Sequence, residues 1–449
     1  MGLGGGTFIT VGEKKLPGSY INFVSASRAA YVLSERGLVA MPFLLDWGVE
    51  QEVKKVEQEE IESKSLVLFG YNYGAEELKP LREIFKHART LYYYRLGQGV
   101  KATSTIATAK YAGTRGNKLK VVTTAIISGE TTTGYTVKTF LDDILVDNQE
   151  VSGATATTDD LAVNDFVDWT AEVSLSAGTI NLSGGTNATV TSGDYATFLT
   201  AIEPYAFNTI GYAGTDSAVK ALFSAFTERM RDNLGIKFQC VLHKYESANY
   251  EGIISVENSP VNTSSADGTS AFSLEPFLVY WVVGAEAGCA VNKSNTNIKY
   301  DGEYDINVSY TQAQLEDGLD SGKFMFHKVG DEVRVLEDIN TLTTFTEDKS
   351  EDFKENQTIR VIDQIGNDIA VIFNTQFLGK IPNDDSGRAS LWNELVKYHE
   401  RLQGIRAIEN FSSSNITVQA GDTKRSVVVN EAITPINCMT QLYMVCKIE

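Results

Sequence analysis

Four histidines, His87, His243, His327 and His399, are the side chains of this chain best suited to proton transfer or metal binding. His399-Glu400 opens like the zinc-protease helix motif, in which two histidines four residues apart grip the metal and the intervening glutamate acts as base. Position 403 is Gln, so the second ligand is missing and the zinc pair is broken. His87 stands near the end of a helical pattern, where contact with the helix dipole accounts for it. His243 and His327 stand at strand ends. Serine, histidine and aspartate are all present for a hydrolase triad, yet no serine sits in a Gly-x-Ser-x-Gly elbow. The cysteines Cys240, Cys289, Cys438 and Cys446 form no C-x-x-C pair and each lies in an apolar run, the pattern of free thiols in a reducing compartment. Gly2-Leu3-Gly4-Gly5-Gly6 has the glycines of a dinucleotide loop without the strand that must precede it, and reads as a flexible start. The carboxylate runs Glu57–Glu60, Asp384-Asp385 and Glu347–Glu355 read as solvated faces, with no Asp-x-Asp-x-Asp-Gly calcium loop among them. Tyr92-Tyr93-Tyr94 fits core and edge packing better than a ligand platform. The sequence therefore predicts no catalytic residues, no cofactor and no metal, and leans towards assembly.

The chain has 449 residues and should hold two to four domains. Its 43% hydrophobic and 22% charged residues are ordinary for globular protein. A formal net charge of −19 argues against nucleic acid, which demands clustered Lys and Arg, and against anionic membranes. The longest apolar run, Phe277–Ala290, is too short for a membrane span and carries Glu286. The start of the chain has no basic stretch followed by an apolar core, so folding in the cytosol is expected.

Periodicity divides the chain into parts. Residues 1–36 read as an extended arm with two short β-type runs, Thr7-Phe8-Ile9-Thr10-Val11 and Tyr20-Ile21-Asn22-Phe23. Gly2, Gly4, Gly5 and Gly6 give it a flexible start, and Pro17-Gly18 is a turn between the two runs. Leu38–Leu45 predicts a buried strand; after it Leu66–Phe69 predicts a strand, Glu76–Ala88 a helix and Leu91–Leu96 a strand, these three a βαβ unit. From 97 to 193 the chain turns rich in Thr, Ser, Gly and Val. Its β-type runs are Lys118–Ile127, Tyr135–Leu141, Ile144–Val146, Glu172–Leu175 and Thr186–Thr191, most simply an inserted β-sandwich. The α/β pattern resumes over 194–340. There Asp194–Ile202, Ser217–Asn233, Leu274–Ala290 and Gln312–Asp320 are helical. Thr209–Tyr212, Ile236–Leu242, Gly252–Val256 and Tyr304–Tyr310 are strands, and Lys323–His327 with Val333–Leu336 a hairpin. Residues 37–96 and 194–340 thus form one interrupted α/β domain, since an insertion at an exposed connection costs little closure entropy. In 341–424, Phe353–Leu378 predicts one long helix with Ile362, Ile365, Ile369 and Ile372 on one stripe. A second helix follows, with Leu391, Leu395, Tyr398, Leu402 and Ile405 at helical spacing, and then a strand at Ile416–Val418. The whole is a compact α+β unit.

Residues 425–449 stand apart. Val427–Val429 and Leu442–Ile448 are β-type runs separated by Thr434-Pro435. In the last run Leu442, Met444, Cys446 and Ile448 alternate with Tyr443, Val445 and Lys447. An apolar strand at a chain end is expected to have a partner, either earlier in its own chain or in another copy.

The order of these parts resembles the tail sheath proteins of contractile phage tails and phage-tail-like bacteriocins, in the form typical of Gram-positive bacteria. Pro17–Phe23, Arg36–Gly48, Phe69-Gly70-Tyr71, Leu91–Lys101, Lys323–Asn340, Phe353–Asn367 and Arg425–Ile448 carry the resemblance; the Thr-rich insertion departs most. The resemblance implies a subtilisin-like α/β domain without catalysis, interrupted by the β-sandwich, then an α+β C-terminal domain against the tail tube. It implies terminal arms that add strands to neighbouring subunits. Thr7, Phe8, Ile9, Thr10, Val11, Tyr20, Ile21 and Phe23 would be the N-terminal donors. Val427, Val429, Leu442, Tyr443, Met444, Val445, Cys446 and Ile448 would be the C-terminal ones, with Pro435 as a hinge beside Gly4–Gly6 and Pro17-Gly18. It further implies a helical homopolymer of sixfold rings, made in a bacterial cytoplasm and released by lysis in a virion or tail-like particle. Tube, baseplate and terminator proteins would be its partners. A β-rich surface adhesin or shell protein, and a hydrolase on a subtilisin-like scaffold, are the competing readings.

Overall fold

A computed structural model of the chain describes residues 34–261 and 274–448. The strand-like runs Thr7–Val11 and Tyr20–Phe23, with Gly4–Gly6 and Pro17-Gly18, lie outside the described residues. The fold begins with β1 (Leu38–Phe43) and β2 (Val53–Glu57), followed by helices α1 (Gln58–Phe69) and α2 (Lys79–Phe85) and then β3 (Thr90–Arg95). Leu66–Phe69, expected as a strand, is the last turn of α1. Ile61, Ser65 and Phe69 recur every four residues on its buried side, and Gly70 ends it at φ 77° with its N–H on the Leu66 carbonyl, 3.0 Å. Leu66 and Val67 complete the apolar run because they cover a different core, described next.

The insertion contains β4 (Lys101–Thr103), β5 (Ala107–Ala112), β6 (Leu119–Ser128), β7 (Thr131–Leu141), β8 (Ile144–Ser152), β9 (Val167–Trp169) and β10 (Gly178–Asn181). They form an antiparallel sheet of order β10-β6-β7-β8 and a smaller one of order β4-β5-β9. Glu172–Leu175 and Thr186–Thr191, expected as strands, contribute only single bridges, Thr157 to Ser174 and Val100 to Thr186. The core of the insertion, with Leu119, Val121, Val137, Leu141 and Phe166, is shared with the α/β part. Trp47, from the loop after β1, is fully buried in it. Its ring meets Tyr111 edge-on (5.2 Å) and Phe166 (6.1 Å), and its Nε1 donates to the Val67 carbonyl at 3.0 Å. Arg115 ties the same seam by donating to the Gly70 carbonyl (2.8 Å), lying over Tyr71 and pairing with Asp142 (2.7 Å).

The chain then returns through α3 (Ser192–Ile202), β11 (Thr209–Tyr212), α4 (Ser217–Glu228), β12 (Gln239–His243), β13 (Ile253–Val256), α5 (Leu278–Gly288), α6 (Gln312–Asp320) and β14 (Lys323–Phe324). Seven strands join in the order β14-β13-β12-β11-β1-β3-β2, all parallel except β2 at its edge. Alternation sends Val39, Met41, Leu91, Tyr93, Val241 and Ile254 to the face covered by α2 and α5. Ala40, Tyr94, Cys240, Leu242 and Ile253 go to the face covered by α3 and α4. Two glycines bring α5 close to α2, since a Cβ on Gly284 would stand 2.4 Å from the Ile84 carbonyl and one on Gly288 2.1 Å from that of His87. Among the described residues Tyr304–Tyr310 joins no ladder and makes one bridge, Ile306 to Pro260. The expected hairpin is β15 (Phe326–Val329) with β16 (Glu332–Val335), while Lys323-Phe324 joins the large sheet instead. The described residues from Glu35 onward form one unit.

Candidate assembly elements of the C-terminal region

Helix α7 (Asn356–Ile372), extended by wide turns over Phe373–Phe377, and α8 (Asp385–Gly404) precede four short strands. Asp384 caps α8 by accepting from the Gly387 N–H at 2.7 Å, and Leu391, Leu395, Tyr398 and Leu402 bury one face. Strands β17 (Ile408–Glu409) and β20 (Thr434–Pro435) pair antiparallel, as do β18 (Ile416–Ala420) and β19 (Val427–Glu431). Buried His399 pins this hairpin to α8. Its Nδ1 bonds the Leu395 carbonyl (2.8 Å), its Nε2 lies 3.3 Å from Glu431, and its ring stacks on Phe411.

The register fixes which backbone groups face outward. Ala432 N–H donates to the Asn415 carbonyl (3.0 Å) and Gly421 N–H to the Ser426 carbonyl (2.9 Å). By the alternation of an antiparallel pair, residues 416, 418 and 420 and residues 427, 429 and 431 then point their N–H and C=O groups away from the hairpin. On β18 the Ile416 carbonyl is taken by Trp392 Nε1 at 2.9 Å. On β19 the outward groups of Val427, Val429 and Glu431 join no ladder among the described residues. Val427 and Val429 therefore sit in a strand paired on one side within its own subunit, with an open edge on the other.

Pro435 lies inside β20, a tied segment. Ile436 N–H donates to the Ala407 carbonyl (3.0 Å). The Gln357 carboxamide donates to the Ile436 carbonyl (2.8 Å) and accepts from Cys438 N–H (3.0 Å), as a neighbouring strand would, and Thr358 reaches Asn437 at 3.1 Å. Beyond Cys438, among the described residues, no hydrogen bond ties the tail to the rest of the subunit; within the tail the Tyr443 hydroxyl donates to Gln441 at 2.5 Å. Leu442 and Tyr443 are 87% exposed, Val445 88%, Met444 74% and Ile448 98%, and Cys446 is exposed too. Among the described residues, 439–448 enters no ladder.

The seating of α7 departs from the expected isoleucine stripe. Ile365 and Ile372 are buried, but Ile362 and Ile369 are only half-buried. Ile359 and Val361 are buried as well, and the same helix also buries Gln357, Arg360, Asp363, Gln364 and Asp368. Arg360 bonds Glu286 of α5, Asp338 and the Lys293 carbonyl. Asn295 and Asn356 complete the two carboxylates at 2.8 and 2.9 Å. Burial, reinforced by Asp338, raises the Glu286 carboxyl above its usual range. Burial also opposes charge on Asp338, but Arg360 and its hydrogen bonds hold it low. Arg231 grips Asp363 through two bonds of 2.6 and 2.9 Å, both side chains buried. Asn367 pairs with the backbone of Lys237 through both amide atoms, 3.0 and 2.7 Å. The visible signal in the sequence is Arg360 and Asp363, one helical turn apart and of opposite charge on the helix that carries the isoleucines.

The chemistry-bearing residues have structural contacts. His87 meets Trp281 edge-on and Asp301 at 3.2 Å. His243 does meet a serine, Ser259, at 3.2 Å. Burial first, then Lys244, pushes its pKa down to about 4, so the ring is a neutral hydrogen-bonded core group. Among the described residues no group of three His, Cys, Asp or Glu is placed to hold a metal ion, and no helix is long and apolar enough to cross a membrane.

Three family models match this chain. The phage tail sheath protein central domain covers 188–341, the phage tail sheath C-terminal domain 348–449, and the tail sheath protein Gp18 domain III N-terminal region 36–96. The Bacillus subtilis phage-like element PBSX protein XkdK is 31% identical over 98% of this chain and 99% of its own length. The crystal structure of the sheath tail protein of Desulfitobacterium hafniense is 36% identical, with a TM-score of 0.81 over 95% of this chain and 99% of that one. The helical sheath of the anti-feeding prophage in its contracted state shares the fold at 12% identity, TM-score 0.56, over 97% and 99% of the two chains. This chain belongs to the phage tail sheath protein family, and is a structural subunit of a tail sheath.

Proposed function

We propose that this subunit polymerises into a helical tube by strand donation. Residues 439–448 of one copy would lie along the open edge of β19 in a neighbour, and the N-terminal runs Thr7–Val11 or Tyr20–Phe23 would serve as a second donor. The carrying observation is the apolar, alternating segment from Leu442 to Ile448, left exposed beyond a tightly tied root at Cys438. Three outward residues on β19 offer about six backbone groups. At roughly 0.5–1.5 kcal/mol net for each bond, a donated strand contributes several kcal/mol, repeated at every lattice contact.

In this reading residues 37–96 and 194–340 form the α/β domain, subtilisin-like in layout. Residues 97–193 face outward, 341–424 line the wall towards a tail tube, and 425–449 form the arm. Rings of six subunits would stack from a baseplate to a terminator around the tube, in a virion or a phage-tail-like particle, and their rotation and outward movement on release would drive the tube through an envelope. The protein is read as purely structural. A fold neighbour that is a helical sheath in its contracted state supports the contractile part of the reading. With Pro435 tied into β20, bending of the arm would begin beyond Cys438 rather than at the proline.

The test is a chain ending at Cys438, examined by sedimentation and negative-stain imaging. It should give folded subunits that form no tubes where the full chain does. Tubes of normal yield from the shortened chain would remove the strand-donation reading.

A further inference from the structure

Residues near the two ends of the described unit are tied to one pair of helices. At the front, Arg36 Nε donates to the Cys289 carbonyl (2.8 Å) and its Nη2 to the Glu286 carbonyl (2.9 Å), closing the C-terminal end of α5, while Gly37 N–H bonds the Ala287 carbonyl (2.8 Å). Glu286 then turns its carboxylate inward to Arg360 of α7, a pair in which both side chains are almost wholly buried. Three residues before Arg360 on the same helix, Gln357 brackets Ile436 and Cys438, the last tied residues before the exposed tail.

We propose that Arg36, Glu286, Arg360 and Gln357 form a clamp that couples the roots of the two chain ends, so that displacement at one root is felt at the other. Each link is of a kind that resists slippage. A buried guanidinium cannot leave its carboxylates without exposing an uncompensated charge, and a carboxamide bonded through both atoms fixes strand direction as well as distance. The path from Arg36 to Cys438 runs through α5 and α7 and bypasses the seven-stranded sheet and the β insertion. Load applied to one end therefore passes to the other through two helices that keep their relative position.

Hydrogen exchange on the full-length chain, kept dilute so that no tubes form, tests the coupling independently of strand donation. Arg36→Ala should speed exchange of the Ile436 and Cys438 amides by about fivefold or more, the lower end of ordinary site-to-site coupling. Unchanged rates at those two amides, with faster exchange at Gly37, would overturn the clamp. Should Arg36→Ala loosen the β1 and β11 amides as well, the reciprocal variant Gln357→Ala decides. Faster exchange at Gly37 upholds the coupling, and an unchanged Gly37 refutes it.

Discussion

Trp47→Ala should be among the most damaging single substitutions outside the C-terminal region, although the residue stands in a loop. The indole is fully buried between the α/β part and the insertion, and its two ring partners, Tyr111 and Phe166, belong to the insertion. Truncating a buried Trp to Ala costs about 3–5 kcal/mol through lost transfer energy and the cavity left behind. The upper half of that range is expected, because the Val67 carbonyl also loses its donor. Trp47→Phe keeps an aromatic ring against Tyr111 and Phe166 and should cost roughly 1–2 kcal/mol, mostly the unsatisfied carbonyl. Urea unfolding, read by circular dichroism, measures both. Limited proteolysis reads the loosened seam, with new cuts expected near Gly97–Val100 and Thr186–Val190. A loss below about 1 kcal/mol for Trp47→Ala, with no new cleavage, would show that the insertion stands by itself and that the shared core is incidental.

The other predictions concern α7 and the tail. Asp363→Ala leaves Arg231 buried and unpaired and should cost about 3–5 kcal/mol in urea unfolding. Burial first, then Glu337 and Asp338, raises Glu355 to about 7. The folded chain thus holds that proton more tightly than the unfolded one, so the group's stabilisation is full below about pH 4.5 and lost as pH rises through about 7. Glu355→Gln should flatten this decline by on the order of 1–2 kcal/mol, the half-burial of the group discounting the full shift, and denaturation midpoints across that range measure it. Maleimide should label Cys438 and Cys446 quickly in free subunits and spare buried Cys240; protection of Cys446 in assembled tubes, scored by mass spectrometry, is the expected mark of strand pairing.

Much of the α/β layout was legible in the sequence, because β1, β3, β11, β12 and β13 are short apolar runs bounded by helical periods. The errors share a cause. Leu66–Phe69 looks like a strand because α1 is apolar on two sides, one towards its own helix layer and one towards the insertion core, and four apolar residues in a row do not reveal their period. Tyr304–Tyr310 alternates, yet among the described residues it makes a single bridge, and alternation records only which side chains turn inward. The polar face of α7 was invisible for a different reason. Arg360 finds Glu286 74 residues away and Asp363 finds Arg231 132 residues away, distances over which spacing carries no information. The alternation of the tail was equally visible in the sequence, and the structure leaves 439–448 exposed and in no ladder among the described residues.

The exposed tail also bears on when copies meet. The segment 439–448 carries Lys447 as its one charged side chain, on a chain whose formal net charge is −19. Free copies in dilute buffer repel one another before any ribbon can find a groove, and added salt shortens the reach of that repulsion to about 10 Å at 0.1 M. If that segment pairs with a neighbour's β19 as proposed, growth from a preformed rim that offers several such edges side by side would outrun the first encounter of two loose copies, and free copies would stay dispersed until something supplies that rim.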